Sequence, residues 1–143
     1  MATLLLPTGR ALPLEIADSA GARRRGLLGR DGVTGALLLS PANSVHTVRM
    51  RFTVDVAYLD RKLRVLSVRT MRPGRIGRPR LRARHVLEAE AGAMARWEVR
   101  RGVRVEVRNG GGAWDTRAAR AARGLERTVR QPRWPGQGME DEG

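Results

Sequence analysis

The chain has 143 residues and no cysteine, which excludes disulfide frameworks, thiolate nucleophiles and thiolate metal sites. Its 28 basic residues, all arginine except Lys62, stand against 14 acids for a net charge of +14, and a field of that sign attracts polyanions. The opening Met1-Ala2-Thr3-Leu4-Leu5-Leu6-Pro7 has no basic flank and an apolar run too short for a secretory signal. No segment reaches the roughly 18 apolar residues that cross a bilayer, so a cytoplasmic protein without a membrane span is expected.

In chain order, Thr3 to Leu6 and Leu12 to Ala17 predict a hairpin across Pro7-Thr8-Gly9, with Leu12, Leu14 and Ile16 on one face and Pro13, Glu15 and Ala17 on the other. Asp18-Ser19 offers side-chain oxygens to cap a short helix from Ala20 to about Arg25, which Gly26 can end. Gly35 to Leu39, stopped by Ser40-Pro41, reads as a buried strand, and Ser44 to Val48 as the next. Val54 to Leu59 and Leu63 to Val68, separated by Asp60-Arg61-Lys62, predict a second hairpin.

Arg72 to Arg84 carries six arginines, Pro73, Pro79, Gly74 and Gly77 with little apolar periodicity, and is expected to be an exposed loop. His85 to Ala89 resumes strand composition, Gly92 to Arg100 holds a helical turn, and Val103, Val105 and Val107 alternate with Arg104, Glu106 and Arg108 as a last strand. Asn109 to Gly112 closes this domain, taken as 1–110. Residues 111–143, basic with an acidic end at Glu140-Asp141-Glu142 and poor in aliphatics, are expected to be a disordered tail. The fold class is therefore mainly β, a compact antiparallel sandwich or jelly-roll-like barrel with one or two short helices.

Four ordered blocks carry a resemblance: Arg25-Gly26-Leu27-Leu28-Gly29-Arg30; Gly35-Ala36-Leu37-Leu38-Leu39; His46 through Asp60; and Val86-Leu87-Glu88-Ala89-Glu90-Ala91-Gly92. Together they resemble domain of unknown function family 192, a group of small uncharacterised prokaryotic proteins, across roughly Ala11 to Val107. The resemblance implies a compact jelly-roll-like β-sandwich and no established reaction. Leu28 stands where the family often has Met, and Gly102-Val103 where it often has Gly-Asp, so any role of that aspartate is absent here.

Within the blocks, Arg30 suits a bidentate clamp on a carboxylate or phosphate, or a structural ion pair to Asp55 or Glu88. His46 titrates near neutrality and suits a proton shuttle or ligand contact, and Thr47 has a hydroxyl that could serve a ligand. Met50 packs or lines a groove. Asp55 and Glu88 interrupt apolar strands, where a carboxylate must be paired, exposed or functional, and an arginine partner is the expectation for Asp55.

The first functional expectation is a non-catalytic module holding an unknown small polar or anionic ligand through Arg30, His46, Thr47, Met50, Asp55 and Glu88. A second is sequence-nonspecific binding of nucleic acid or another polyanion through Arg72, Arg75, Arg78, Arg80, Arg82, Arg84, Arg100 and Arg101. Against that reading, aromatics are scarce, and the joint abundance of Arg, Ala and Gly fits GC-rich coding. A hydrolase-like enzyme using the two acids as acid and base is a third, although no serine or threonine sits in a nucleophile-elbow context. Two isolated histidines without ligand spacing give no metal site, no cofactor is expected, and oligomeric state is not readable from the chain.

Overall fold

A computed structural model describes residues 2–110 and 112–114. The strands are β1 (Ala2–Leu5), β2 (Ala11–Ala17), β3 (Ala36–Leu39), β4 (Val54–Leu59), β5 (Val65–Met71), β6 (His85–Glu90), β7 (Glu106–Asn109) and β8 (Gly112–Ala113), with helices α1 (Ala20–Arg25) and α2 (Ala93–Arg96). The mainly β class holds, with two short helices among the described residues where one or two were expected. The strands form one open sheet in the order β5-β4-β6-β3-β2-β1-β7-β8. It is mixed: β2 and β3 run parallel, with Leu14 opposite Ala36 and Ala17 opposite Leu39, while the other pairs are antiparallel.

The parallel pair follows from α1, which returns the chain to the same end of the sheet before β3 begins. Ser19 caps that helix, its Oγ accepting from the Ala22 amide at 3.1 Å, and Gly26 ends it with a left-handed φ of 44°. Gly35 then enters β3 with φ 70° so close to β2 that a β-carbon would collide with the Pro13 carbonyl.

Side-chain alternation sorts the apolar residues into two cores. Leu12, Leu14, Leu38, Ala57, Leu59, Leu87 and Ala89 share one face with Leu4, Val107 and the α2 residues Ala93 and Met94. Leu37, Leu39, Val54, Val56, Tyr58 and Val86 occupy the opposite face with Leu27, Met50 and Met71. Every residue of β3 and β4 is buried, so the central strands are covered on both sides. The sheet is not closed, but its two ends approach: the Val65 amide donates to the Val103 carbonyl at 2.8 Å and the Val105 amide to Leu63 at 3.1 Å, just before the chain enters β7.

The hairpin of β4 and β5 is as expected, with Asp60 Oδ1 accepting from the Lys62 and Arg64 amides in its turn. One local expectation needs correction. Ser44 to Val48 is not a ladder strand but makes a single bridge, His46 opposite Ile76. Its backbone is used by the arginine-rich segment instead: Thr47 donates to Arg75, Gly77 to Val45, Arg80 to Asn43 and Ala42 to Arg84, at 2.7 to 2.9 Å. Arg72 to Arg84 is thus a strap held along residues 42–47, with Gly77 and Ala83 buried beneath its exposed arginines.

At the carboxyl end, β8 pairs with β7, and half-buried Trp114 packs on the first core with its ring edge-on to His85, centroids 5.3 Å apart. Ordered packing therefore continues past Gly110, and Trp114 is not the exposed residue its glycine-rich context suggests. The rest of the expected tail, 115–143, lies outside the described residues.

Gly35→Ala is expected to lose roughly 2–4 kcal/mol of stability, because the new methyl meets backbone and left-handed strain together. Urea unfolding measures this, and a loss below about 1 kcal/mol would contradict the close β2–β3 approach.

Candidate functional site

Asp55 and Glu88 are neighbours across β4 and β6, yet they point to opposite faces. Asp55 is opposite Ala89 and shares its face, whereas Glu88 is opposite Val56 and Leu37 on the other side. A one-residue offset between paired strands decides this, and it separates the two acids by the thickness of the sheet. They cannot serve one substrate as acid and base.

Asp55 has no arginine partner among the described residues. It is 3 % exposed, and its carboxylate accepts from Thr70 Oγ1 at 2.7 Å and from the Gly92 and Met94 amides at 3.0 and 3.2 Å. The last two are free amides at the start of α2, whose own N-cap residue, Gly92, has no side chain to cap with. Asp55 caps α2 from across the core and holds it on the sheet.

Glu88 is 2 % exposed, and its Oε2 has no hydrogen-bond partner among the described residues. Burial raises its pKa from the ordinary 4.5 to about 7. Gly26, at the end of α1, lies over the carboxyl, and a β-carbon there would stand 3.8 Å from Oε2. Tyr58 is buried on the same face; burial raises its hydroxyl pKa, opposed by Arg80, whose guanidinium stacks 5.0 Å from the ring centroid.

Gly26 and Leu37 also line a cavity of about 190 Å³ between α1 and β2, with Ala17, Ala22 and Leu28 as apolar walls. Glu15, Arg25 and Arg30 form its polar rim. Arg30 does not reach Asp55 or Glu88. It forms a two-pronged pair with Glu15, Nη1 to Oε1 and Nη2 to Oε2 both at 2.8 Å, which holds the Glu15 carboxyl below its ordinary pKa. Arg25, exposed on the same rim, makes no ion pair among the described residues.

The other candidates are dispersed. Thr47 is fully buried and committed to the strap: its Oγ1 donates to the Arg72 carbonyl at 2.6 Å and accepts from the Arg75 amide at 2.8 Å. His46 is half-buried beside it, and desolvation holds its pKa below the ordinary 6.5. Met50 packs in the second core. Arg72, Arg78 and Arg82 are exposed on the strap, while Arg75, Arg80 and Arg84 are half-buried. Arg100 and Arg101 belong to a separate turn, closed by the Val103 amide on the Arg100 carbonyl.

Sequence reasoning did not single out Glu15, Arg25, Gly26 or Tyr58. It also missed a buried pair between the residue after β3 and the first of β6, Ser40 Oγ 2.8 Å from His85 Nδ1. Arg25 and Gly26, within the Arg25 to Arg30 block, and Tyr58, within the His46 to Asp60 block, carried a signal; Glu15 carried none.

These features define a small open-sheet β domain with a buried carboxyl beside a basic-rimmed cavity. The fold is similar to that of a crystallised protein from Sinorhizobium meliloti described as a candidate transcription regulator, at TM-score 0.63 and 20 % identity over 74 % of this chain and 91 % of that one. It is also similar to a protein of unknown function from Novosphingobium aromaticivorans, at TM-score 0.57 and 17 % identity over 73 % and 82 %. Residues 4–107 match the model of the DUF192 family, described as Uncharacterized ACR, and the chain belongs to that family. A curated relative, the UPF0127 protein PH1112 of Pyrococcus horikoshii, is 33 % identical over 84 residues, 55 % of this chain and 73 % of its own.

The raised pKa of Glu88 fixes a pH dependence. Between 4.5 and about 7 the folded state holds a proton that the unfolded chain has released, so this group's contribution favours folding below 4.5 and declines as pH rises to about 7. Glu88→Gln is expected to remove that slope and to exceed the parent in stability above pH 7 by up to about 3 kcal/mol. Unfolding of both proteins across pH checks this; parallel profiles would contradict an uncompensated carboxyl. Asp55→Ala is expected to cost roughly 2–4 kcal/mol at neutral pH, with loss of α2 amide protection in hydrogen exchange.

Proposed function

We propose that this protein is a non-catalytic binding module for a small polar or anionic ligand, held in the cavity between α1 and β2. The observation that carries the reading is Glu88: a carboxyl whose Oε2 has no partner among the described residues, buried behind Gly26 at the cavity wall. An unsatisfied buried acid costs stability, and such cost is commonly found where a group serves a ligand. Arg25 and Arg30 supply positive charge at the mouth, and the Arg30 fork already grips one carboxylate, that of Glu15, in the geometry an incoming anion would use. Glu88 lies behind the Gly26 and Leu37 wall rather than in the lining, so a ligand would reach its Oε2 only where that wall shifts at Gly26. His46, Thr47, Met50 and Asp55 fall outside this site and act in packing, the strap and the α2 cap.

A second reading, sequence-nonspecific polyanion binding, is favoured by one observation: from Arg61 to Leu87 the chain has ten basic residues and no acid. The hydrolase-like alternative draws no support from the acids it invoked, which face opposite ways.

Thermal-shift titrations with phosphate, citrate and small hydroxy acids test the cavity reading. At least one is expected to stabilise the protein saturably, with little dependence on salt, and Arg30→Ala is expected to weaken it about tenfold or more. Full-strength binding in Arg30→Ala would refute the reading. A response that collapses steeply with added salt would favour the polyanion surface.

A further inference from the structure

Leu81 is 91 % exposed, and it is the one large hydrophobic residue so exposed among the described residues. A single surface leucine ordinarily calls for no explanation; the way this one is held does. It occupies a corner of a turn closed by the Ala83 amide on the Arg80 carbonyl at 3.0 Å. Both ends of the turn are fixed. Arg80 stacks on buried Tyr58 and its amide donates to Asn43 at 2.8 Å, while Ala83 is buried and the Arg84 amide donates to Leu59 at 2.7 Å. Arg84 Nη1 donates to the carbonyl of Leu81 itself at 2.9 Å.

The turn thus presents an apolar side chain to solvent on a framework that has already lost its backbone freedom, so little ordering cost remains for a partner to meet. Exposed Arg78 and Arg82 flank it, within the acid-free tract of residues 61–87. Nucleic acid would complement the arginines but offers no apolar interior to a leucine aimed outward, and the strap exposes no aromatic ring on which bases could stack. A bilayer with anionic headgroups complements both features: phosphates for the arginines and hydrocarbon for the leucine.

We propose that the Arg78–Arg84 turn is a peripheral docking element for anionic lipid surfaces, with Leu81 entering the acyl boundary between Arg78 and Arg82. This goes beyond the polyanion reading and is independent of the cavity. Because Leu81 touches little and sits at a turn corner, Leu81→Ser leaves the fold intact, which thermal unfolding verifies.

The test is co-sedimentation of the full chain with vesicles of phosphatidylcholine alone or mixed equally with phosphatidylglycerol, alongside anisotropy with a generic oligonucleotide, all near physiological salt. Binding to the mixed vesicles only is expected, reduced about tenfold by Leu81→Ser, while that variant's oligonucleotide binding matches the parent's. Leu81→Trp is expected to shift its emission to the blue with anionic vesicles and not with oligonucleotide. No binding to mixed vesicles, equal vesicle binding by Leu81→Ser, or an unshifted Leu81→Trp would each overturn the proposal; the last two would leave the arginines as a generic polyanion surface.

Discussion

The central strands of this sheet are buried on both faces, and the rest of the structure answers that constraint. β3 and β4 have no solvent side, so each face needs its own cover: α2 and the approaching ends of the sheet on one, α1 and the strap on the other. Any polar atom in these strands must find a partner inside the protein. Asp55 finds three, two of them backbone amides, and its charge is converted into attachment of a helix that is too short to be stable alone. Glu88 has no partner for Oε2 among the described residues, and the same burial becomes an elevated proton affinity next to a cavity.

The arginine content divides in a similar way. Some arginines are structural: Arg80 stacks on Tyr58, Arg84 holds turn carbonyls, and Arg23 donates to the Asp18 carbonyl at the start of α1. Others are exposed on a strap whose backbone is fastened to residues 42–47. Fastening changes what such a segment can do. A flexible basic loop offers charge, whereas a fixed one also offers a particular outward residue, here Leu81.

Much of the fold was legible because local chemistry dictated it. Alternation placed Leu12, Leu14 and Ile16 together, Ser19 and Gly26 bounded α1, and the Asp60 turn separated β4 from β5. The segment Ser44 to Val48 misled because strand-like composition says nothing about which backbone is available to pair with, and here that backbone was an irregular arginine-rich strap. Trp114, which falls in the expected tail, is packed for a related reason: a glycine run signals a loose chain, but a core surface within reach can still retain one aromatic ring.

By itself the sequence determined the β class, the family and the identity of the two acids that interrupt apolar strands, since these depend on residue type and spacing. Tertiary structure decided their use. Which face a strand residue meets depends on register with a partner distant in sequence, and a shift of one residue reverses it. That is why Arg30 holds Glu15 rather than either candidate acid, why Asp55 caps a helix and why Glu88, not Asp55, lies beside the cavity.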